Sequence, residues 1–140
     1  MNEFDFILDD DENSENIAVI EKELDKYNSK YAEPYVHRKL NIVLKKNDRI
    51  IGGLTGGTYW GWMYIDRFWI NENFRKSGFG SKILKMAEQE AVKRGCRNAH
   101  LDTHDFQAVE FYEKNGYTIV SKLEDLPKGY NRYLMKKSIL

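Results

Sequence analysis

Residues 62–95 read WMYIDRFWINENFRKSGFGSKILKMAEQEAVKRG, and their order decides the fold. Trp62 to Ile70 is aromatic and branched, with no glycine or proline inside it, which is the composition of a strand. Asn71 to Phe74 is polar enough to turn the chain. Arg75-Lys76-Ser77-Gly78-Phe79-Gly80 then leads into an amphipathic helix. Ile83, Leu84, Ala87, Ala91 and Val92 recur at helical spacing, and Lys82, Lys85, Glu88 and Glu90 take its other faces. Gly95, behind Lys93 and Arg94, marks the residue past its end.

The start of that helix suits an anion. Glycines let a ligand approach the backbone, and the N–H groups of a first turn have no partner inside the helix. Arg75, Lys76 and Lys82 add positive charge, so a diphosphate would be well held. The spacing is R-x-x-G-x-G. Neither G-x-x-x-x-G-K-S/T nor G-x-G-x-x-G is present.

Placed between a strand and a helix, Arg75 to Gly80 resembles the acyl-CoA signature of the GNAT superfamily of N-acyltransferases. A second match follows at Ala108-Val109-Glu110-Phe111-Tyr112-Glu113-Lys114-Asn115-Gly116-Tyr117, which is similar to that superfamily's A-x-x-F/L-Y-x-x-x-G-F/Y helix. Two motifs in order are more specific than either alone. The resemblance is closest from about Ile50 to Tyr117 and extends to Leu140; before Ile50 it is one of topology only.

Length and composition fit one enzyme domain, 1–140. A chain of 140 residues with 41% hydrophobic and 14% aromatic content can bury a core. Lysine plus arginine and aspartate plus glutamate number 22 each, so charge gives no reason to expect nucleic acid or an anionic membrane as partner. No apolar run approaches the ~20 residues of a membrane span, and the acidic amino terminus is unlike a targeting peptide. The single cysteine, Cys96, excludes an internal disulfide and fits a reducing cytoplasm.

Taken in order, Phe4, Phe6 and Leu8 alternate as a first strand would. Asp9 to Asn13 is a charged loop, with Asn13 or Ser14 able to cap the next element. Ile17, Ile20, Leu24, Tyr27 and Tyr31 step by three and four as a helix that ends before Pro34. Arg38 to Lys46 and Arg49 to Thr55 are strands joined by an Asn47-Asp48 turn. After the 62–95 unit come a strand near Ala99 to Thr103 and a helix from about Asp105 to Lys114, with Asp105 as a cap. Strands at Tyr117 to Ser121 and Arg132 to Lys136 close the chain. The fold class is α/β, with a mixed, mostly antiparallel sheet of about seven strands flanked by helices. This order matches the resembled family except that one helix, not two, precedes the second strand.

The resemblance implies acetyl-CoA as co-substrate and a direct attack by a primary amine on its thioester. It implies that Arg75, Lys76, Ser77, Gly78, Phe79, Gly80 and Ser81 hold the diphosphate. The pantetheine would pair with the backbone of Phe68, Trp69 and Ile70, where the strand bulges from its neighbour, and one of those N–H groups would stabilise the oxyanion. Asp105 and Phe111 fall beside the same tail. Asp105 departs from the family's usual asparagine, and an ionised aspartate accepts hydrogen bonds but donates none. Tyr112 stands where the family places its thiol-protonating tyrosine. Read without the motif, Ala108, Phe111 and Tyr112 are simply a helix face to be buried.

The base is open. Tyr64, Asp66, Phe68 and Ile70 would share one face of an uninterrupted strand. Asp66 or Tyr64 can then reach the amine, while Asp66 can equally pair with Arg67 or Arg49, and a water relay needs no dedicated side chain. His100, Asp102 and His104 alternate on one strand, but the outer pair would lie ~13 Å apart, too far for one metal ion. The Gly52 to Gly57 run leads into a strand, so close strand packing or a bend is the better reading than a phosphate loop. Tyr59, Trp60, Trp62 and Tyr64 line either an acceptor pocket, an ordinary sheet face or a dimer contact. Cys96 reads as a buried small apolar residue.

The expected activity is N-acetyl transfer from acetyl-CoA to a small-molecule or peptide amine, with a non-catalytic acyl-CoA-binding module and a different phosphoanion-binding domain as alternatives. A homodimer, if formed, would use edge strands near the carboxyl terminus.

Overall fold

The computed structural model describes residues 3–140. The chain divides into a unit ending at Tyr35 and a second running from Val36 to Leu140.

The first unit carries one helix, α1 (Glu15–Asn28). Ser14 caps it by accepting the Asn16 N–H at 3.1 Å. Asp9 in turn accepts the Ser14 hydroxyl, the Asn16 amide at 2.9 Å and the Asp11 N–H at 3.1 Å. Those bonds, Ser14's first, hold the Asp9 carboxyl below the usual carboxylate range. The acidic run is therefore fastened to a helix start, where its charge also complements the dipole. The expected strand from Phe4 to Leu8 does not form, and the sheet has six strands where about seven were expected. Alternation makes a strand only where a neighbour supplies the ladder, and among the described residues no strand pairs with this segment.

The second unit holds the sheet. Its elements are β1 (Arg38–Lys46), β2 (Arg49–Tyr59), β3 (Trp62–Ile70), α2 (Phe79–Lys93), β4 (Asn98–His104), α3 (Val109–Lys114), β5 (Thr118–Glu124) and β6 (Asn131–Ser138). The strand order is β1-β2-β3-β4-β6-β5, antiparallel throughout except for the β3–β4 pair. Asn47 and Asp48 take left-handed φ of 49° and 69°, the conformation of a two-residue turn whose twist matches its strands.

One face of the sheet packs against α2. Ile83, Leu84, Ala87 and Ala91 are buried there with Leu40, Leu54, Met63, Ile65, Ala99, Leu101 and Met135. Burying each large aliphatic side chain contributes roughly 1.5–3 kcal/mol. Past the end of α2 the Cys96 N–H returns to Ala91 O and the Gly95 N–H to Val92 O, both at 2.9 Å. These reversed bonds close the helix where the sequence predicts. Arg94 pins that end to the sheet by donating to Lys39 O at 3.0 Å and Thr58 Oγ1 at 3.2 Å. Cys96 is buried, as its sequence context suggested, and burial pushes its thiol up.

The pairing of β3 departs from regularity twice. Against β2, Arg67 pairs with Thr55 and Ile65 with Gly56, so Asp66 is an extra residue without a partner. An inserted residue reverses which face the following side chains take. Met63 and Ile65 face the core before it, and Phe68 and Ile70 face the same core after it. The expectation that Tyr64, Asp66, Phe68 and Ile70 share a face is thus wrong: Tyr64 lies on the other face, across from His100. Against β4, β3 pairs only from Trp62 to Ile65, although β3 runs on to Ile70 and β4 to His104. The sheet is split there.

The Gly52–Gly57 run lies within β2, which bears out close strand packing. A Cβ on Gly56 would sit 2.1 Å from the carbonyl oxygen of Tyr64, beside the bulge. We expect Gly56→Ala to force the two backbones apart and to cost about 1–3 kcal/mol, read as a lower urea midpoint at unchanged slope.

Tyr117 is buried and donates to Glu88 at 2.9 Å, and Lys137 donates to the same carboxylate at 2.8 Å. Burial, reinforced by Glu88, pushes the Tyr117 phenol well up, and burial pushes Tyr112 from 10.0 to about 12. Below pH 10 both native and unfolded chains keep these protons, so the full stability is present. As pH rises further the unfolded chain releases its proton while native Tyr112 holds its own. Stability should therefore fall between about pH 10 and 12, by roughly 3 kcal/mol from Tyr112 alone, in urea titrations across that range.

Candidate active site

The loop before α2 turns sharply. Lys76 has φ of 63° and Gly78, the residue capping the helix, has φ of 81°. A side chain at Gly78 would be strained by that left-handed backbone, whatever space it had. Gly78 offers no side-chain cap, and no acidic residue stands in the first turn. The N–H groups of Phe79, Gly80 and Ser81 therefore keep their helix-start donors unused by the helix. Arg75 ties the loop to β3 by donating Nε to Ile70 O at 2.8 Å. Together these features make a cradle for an anion.

The cradle opens onto the split. A Cβ on Gly80 would lie 3.1 Å from the Phe111 ring, so glycine is what allows α2 and α3 to meet there. The Phe68 ring stands edge-on to Phe111 at 5.7 Å and to Tyr112 at 6.4 Å. Tyr112 also meets Tyr117 at 5.8 Å. The start of α2, the far half of β3 and Tyr112 are thus brought together where β3 and β4 part.

Tyr112 is 6% exposed, and its hydroxyl makes no hydrogen bond among the described residues. No fully enclosed side-chain nitrogen or oxygen lacks a partner among those residues, so this hydroxyl is not fully enclosed. At about 12, its proton stays in place through neutral pH. The group is a donor and not a base.

Asp105 stands differently from expectation: it caps no helix, because α3 begins at Val109 behind Ala108. The Asp105 carboxylate instead accepts the Asn131 N–H at 3.0 Å, and the Asp105 N–H donates to Asn131 O at 3.1 Å, which ties it to the start of β6. Asp66 sits at the bulge with a 58% exposed side chain, 3.7 Å from Arg67. Trp69 is half exposed and pairs with Gly53.

The sheet's other face carries a cluster that only folding reveals. His100 Nε2 lies 3.0 Å from the Tyr59 hydroxyl, and His37 Nε2 lies 2.6 Å from the Tyr64 hydroxyl. Trp62 and Tyr64 hold their rings 5.7 and 6.3 Å from His100. The alternation of His100, Asp102 and His104 was visible in sequence, but their partners were not. Asp102 accepts from Arg132 at 2.7 Å, and His104 Nδ1 meets Gln107 at 2.9 Å. His37, in the segment before β1, gave no signal of its own.

Comparison with known proteins agrees with this geometry. The model of the acetyltransferase (GNAT) family matches residues 6–117. An acetyltransferase of Agrobacterium fabrum is 35% identical over 133 residues, which is 94% of this chain and 97% of that protein. The blasticidin-S acetyltransferase of Streptomyces morookaense is 34% identical over 91 residues, 64% of this chain and 67% of the relative. The crystal structure of an acetyltransferase from Bacillus cereus aligns with a TM-score of 0.81 at 33% identity, covering 93% of this chain and 97% of the other. The family match over most of the chain and the near-full-length Agrobacterium relative show that the chain belongs to the GNAT family of acetyltransferases.

Proposed function

We propose that the chain transfers the acetyl group of acetyl-CoA to the primary amine of a small molecule, by direct attack without an acyl-enzyme. The observation that carries this reading is the parting of β3 from β4 beyond Ile65, next to the start of α2 and to Tyr112. An extended thioester tail needs such an opening, because the unpaired edge of β3 supplies backbone donors and acceptors as an added strand would meet them.

In this reading the diphosphate of acetyl-CoA lies on the N–H groups of Phe79, Gly80 and Ser81, with Arg75 and Lys76 supplying charge. Ser77 and Gly78 shape the approach. The tail runs along Phe68, Trp69 and Ile70 past the Phe111 ring, and a β3 N–H in this stretch stabilises the oxyanion. Asp105, held by Asn131, contributes no donor side chain to the tail. Tyr112 donates its proton to the departing sulfur. A lysine-like amine, with a pKa near ~10.4, must first lose a proton. Asp66 is poorly placed for that task, because it is exposed and neighbours Arg67. The relative that acetylates blasticidin S makes a small-molecule amine the natural class of acceptor.

No helix among the described residues is long and apolar enough to cross a membrane, and the balanced charge favours a small acceptor over nucleic acid. A cytoplasmic, acetyl-CoA-rich setting suits the single buried cysteine.

Two outcomes test the reading. Tyr112→Phe leaves no buried partner unsatisfied, so it should fold and bind CoA as the parent does while turnover drops ~10²-fold or more, followed by thiol release. Full turnover in that variant would remove the acid role. Arg75→Gln should weaken CoA about tenfold in calorimetry, the ~1.4 kcal/mol expected of one charge-assisted contact.

A further inference from the structure

We infer that His100, its ring held by the Tyr59 hydroxyl and walled by Trp62 and Tyr64, is the group that takes the proton from the acceptor ammonium. This rests on the acetyl-transfer reading and adds the missing base to it. His100 is the register partner of Tyr64 on the parallel β3–β4 pair. The next pair, Ile65 with Leu101, is the last before the strands part. His100 therefore sits one residue, about 3.3 Å along the strand, from the mouth of the split. It faces away from the core, whereas Tyr112 packs on the core side with Phe68 and Tyr117. A carbonyl carbon lodged at the mouth would have a proton donor for sulfur on one side and a proton acceptor for nitrogen on the other.

The surroundings favour both binding and deprotonation of an ammonium. Tyr59, Trp62 and Tyr64 present aromatic rings within 6.3 Å of the His100 ring, and such rings attract a cation before it loses its proton. The titratable groups facing His100 are Tyr59 on β2, Tyr64 on β3 with His37 on its hydroxyl, Asp102 on β4 and Lys136, its register partner on β6. Asp102 is engaged by Arg132 at 2.7 Å, which reduces its pull on the imidazole. Burial lowers the His100 pKa, with Asp102 opposing, so the ring is neutral at physiological pH.

The step balances. The ammonium gives one proton to His100 Nε2 as the Tyr59 hydroxyl turns from donating to that nitrogen to accepting its new N–H, and the ring releases the proton to solvent after turnover. The freed nitrogen lone pair forms the C–N bond, and the C–S bond breaks with its electron pair going to sulfur. Tyr112 supplies the sulfur's proton, and the extra proton on the new amide nitrogen replaces the one Tyr112 gave. The products are the acetamide, CoA thiol and one released proton.

The test compares the parent with His100→Gln and Tyr59→Phe, using acetyl-CoA and a panel of kanamycin, blasticidin S, spermidine and histamine. The best acceptor is followed by thiol release from about pH 5 to about pH 9. For the parent, kcat/KM should fall on the acid side through a group below the ordinary histidine value. His100→Gln should lose ~10²-fold at neutral pH and lose that acid limb, with CoA binding unchanged in calorimetry. Tyr59→Phe should keep the fold, lose about tenfold and shift the limb. An intact limb in His100→Gln overturns the inference, whether or not the rate falls. Should His100→Gln fail to fold, an unshifted limb in Tyr59→Phe overturns it instead. CoA binding with no turnover on any amine overturns the acetyl-transfer reading itself, a failure distinct from the first.

Discussion

One extra residue in one strand governs this site. Asp66 has no partner on β2, and where it is inserted the ladder changes parity and β3 turns away from β4. The insertion keeps Met63 and Ile65 in the core and then returns Phe68 and Ile70 to that same core. Without it, Phe68 would face away from α3, and the aromatic contacts that seat Tyr112 would be lost. The glycine opposite, Gly56, is part of the same device, since any side chain there would strike the Tyr64 carbonyl. A bulge needs a close neighbour that can yield space, and glycine is the residue that does so.

The parted strands have a consequence for charge as well as shape. Backbone groups on the free edge of β3 lack ladder partners on that side, and the first turn of α2 lacks helix partners for its N–H groups. A folded domain tolerates such groups where water or a ligand can meet them. Both sets open beside the Gly80–Phe111 contact, and neither is neutralised by an acidic side chain in the first turn of α2. In the proposed binding mode anion and extended tail are served by one stretch of chain, residues 66–81, whose two halves are tied by Arg75 to Ile70.

The two sheet faces divide the polar work. The core face buries Tyr112 until its phenol keeps its proton to about 12, and the opposite face gathers two tyrosine–histidine pairs. In the proposed reaction the group that donates is held protonated and the group that accepts is held neutral, each by burial acting on its charged form. The gap between β3 and β4 is what brings the two environments within reach of one bond.

Sequence alone determined the elements that repeat a local rule. The periodicity of Ile83, Leu84, Ala87 and Ala91, the glycine past the end of α2 and the Asn47-Asp48 turn all act within a few residues, and each formed where expected. The two motifs likewise singled out the glycine-led helix start and Tyr112 as candidates, because both depend on spacing along the chain. Tertiary structure decided what depends on a neighbour distant in sequence. Phe4 to Leu8 alternates well yet finds no ladder, Asp105 is taken by Asn131 instead of capping α3, and Tyr64 is turned from Phe68 by a residue that pairs with nothing. The meeting of His100 with Tyr59 across 41 residues belongs to the same class. Strand pairing is a contact between remote segments, and a one-residue slip in it changes every face beyond, which no local pattern can record.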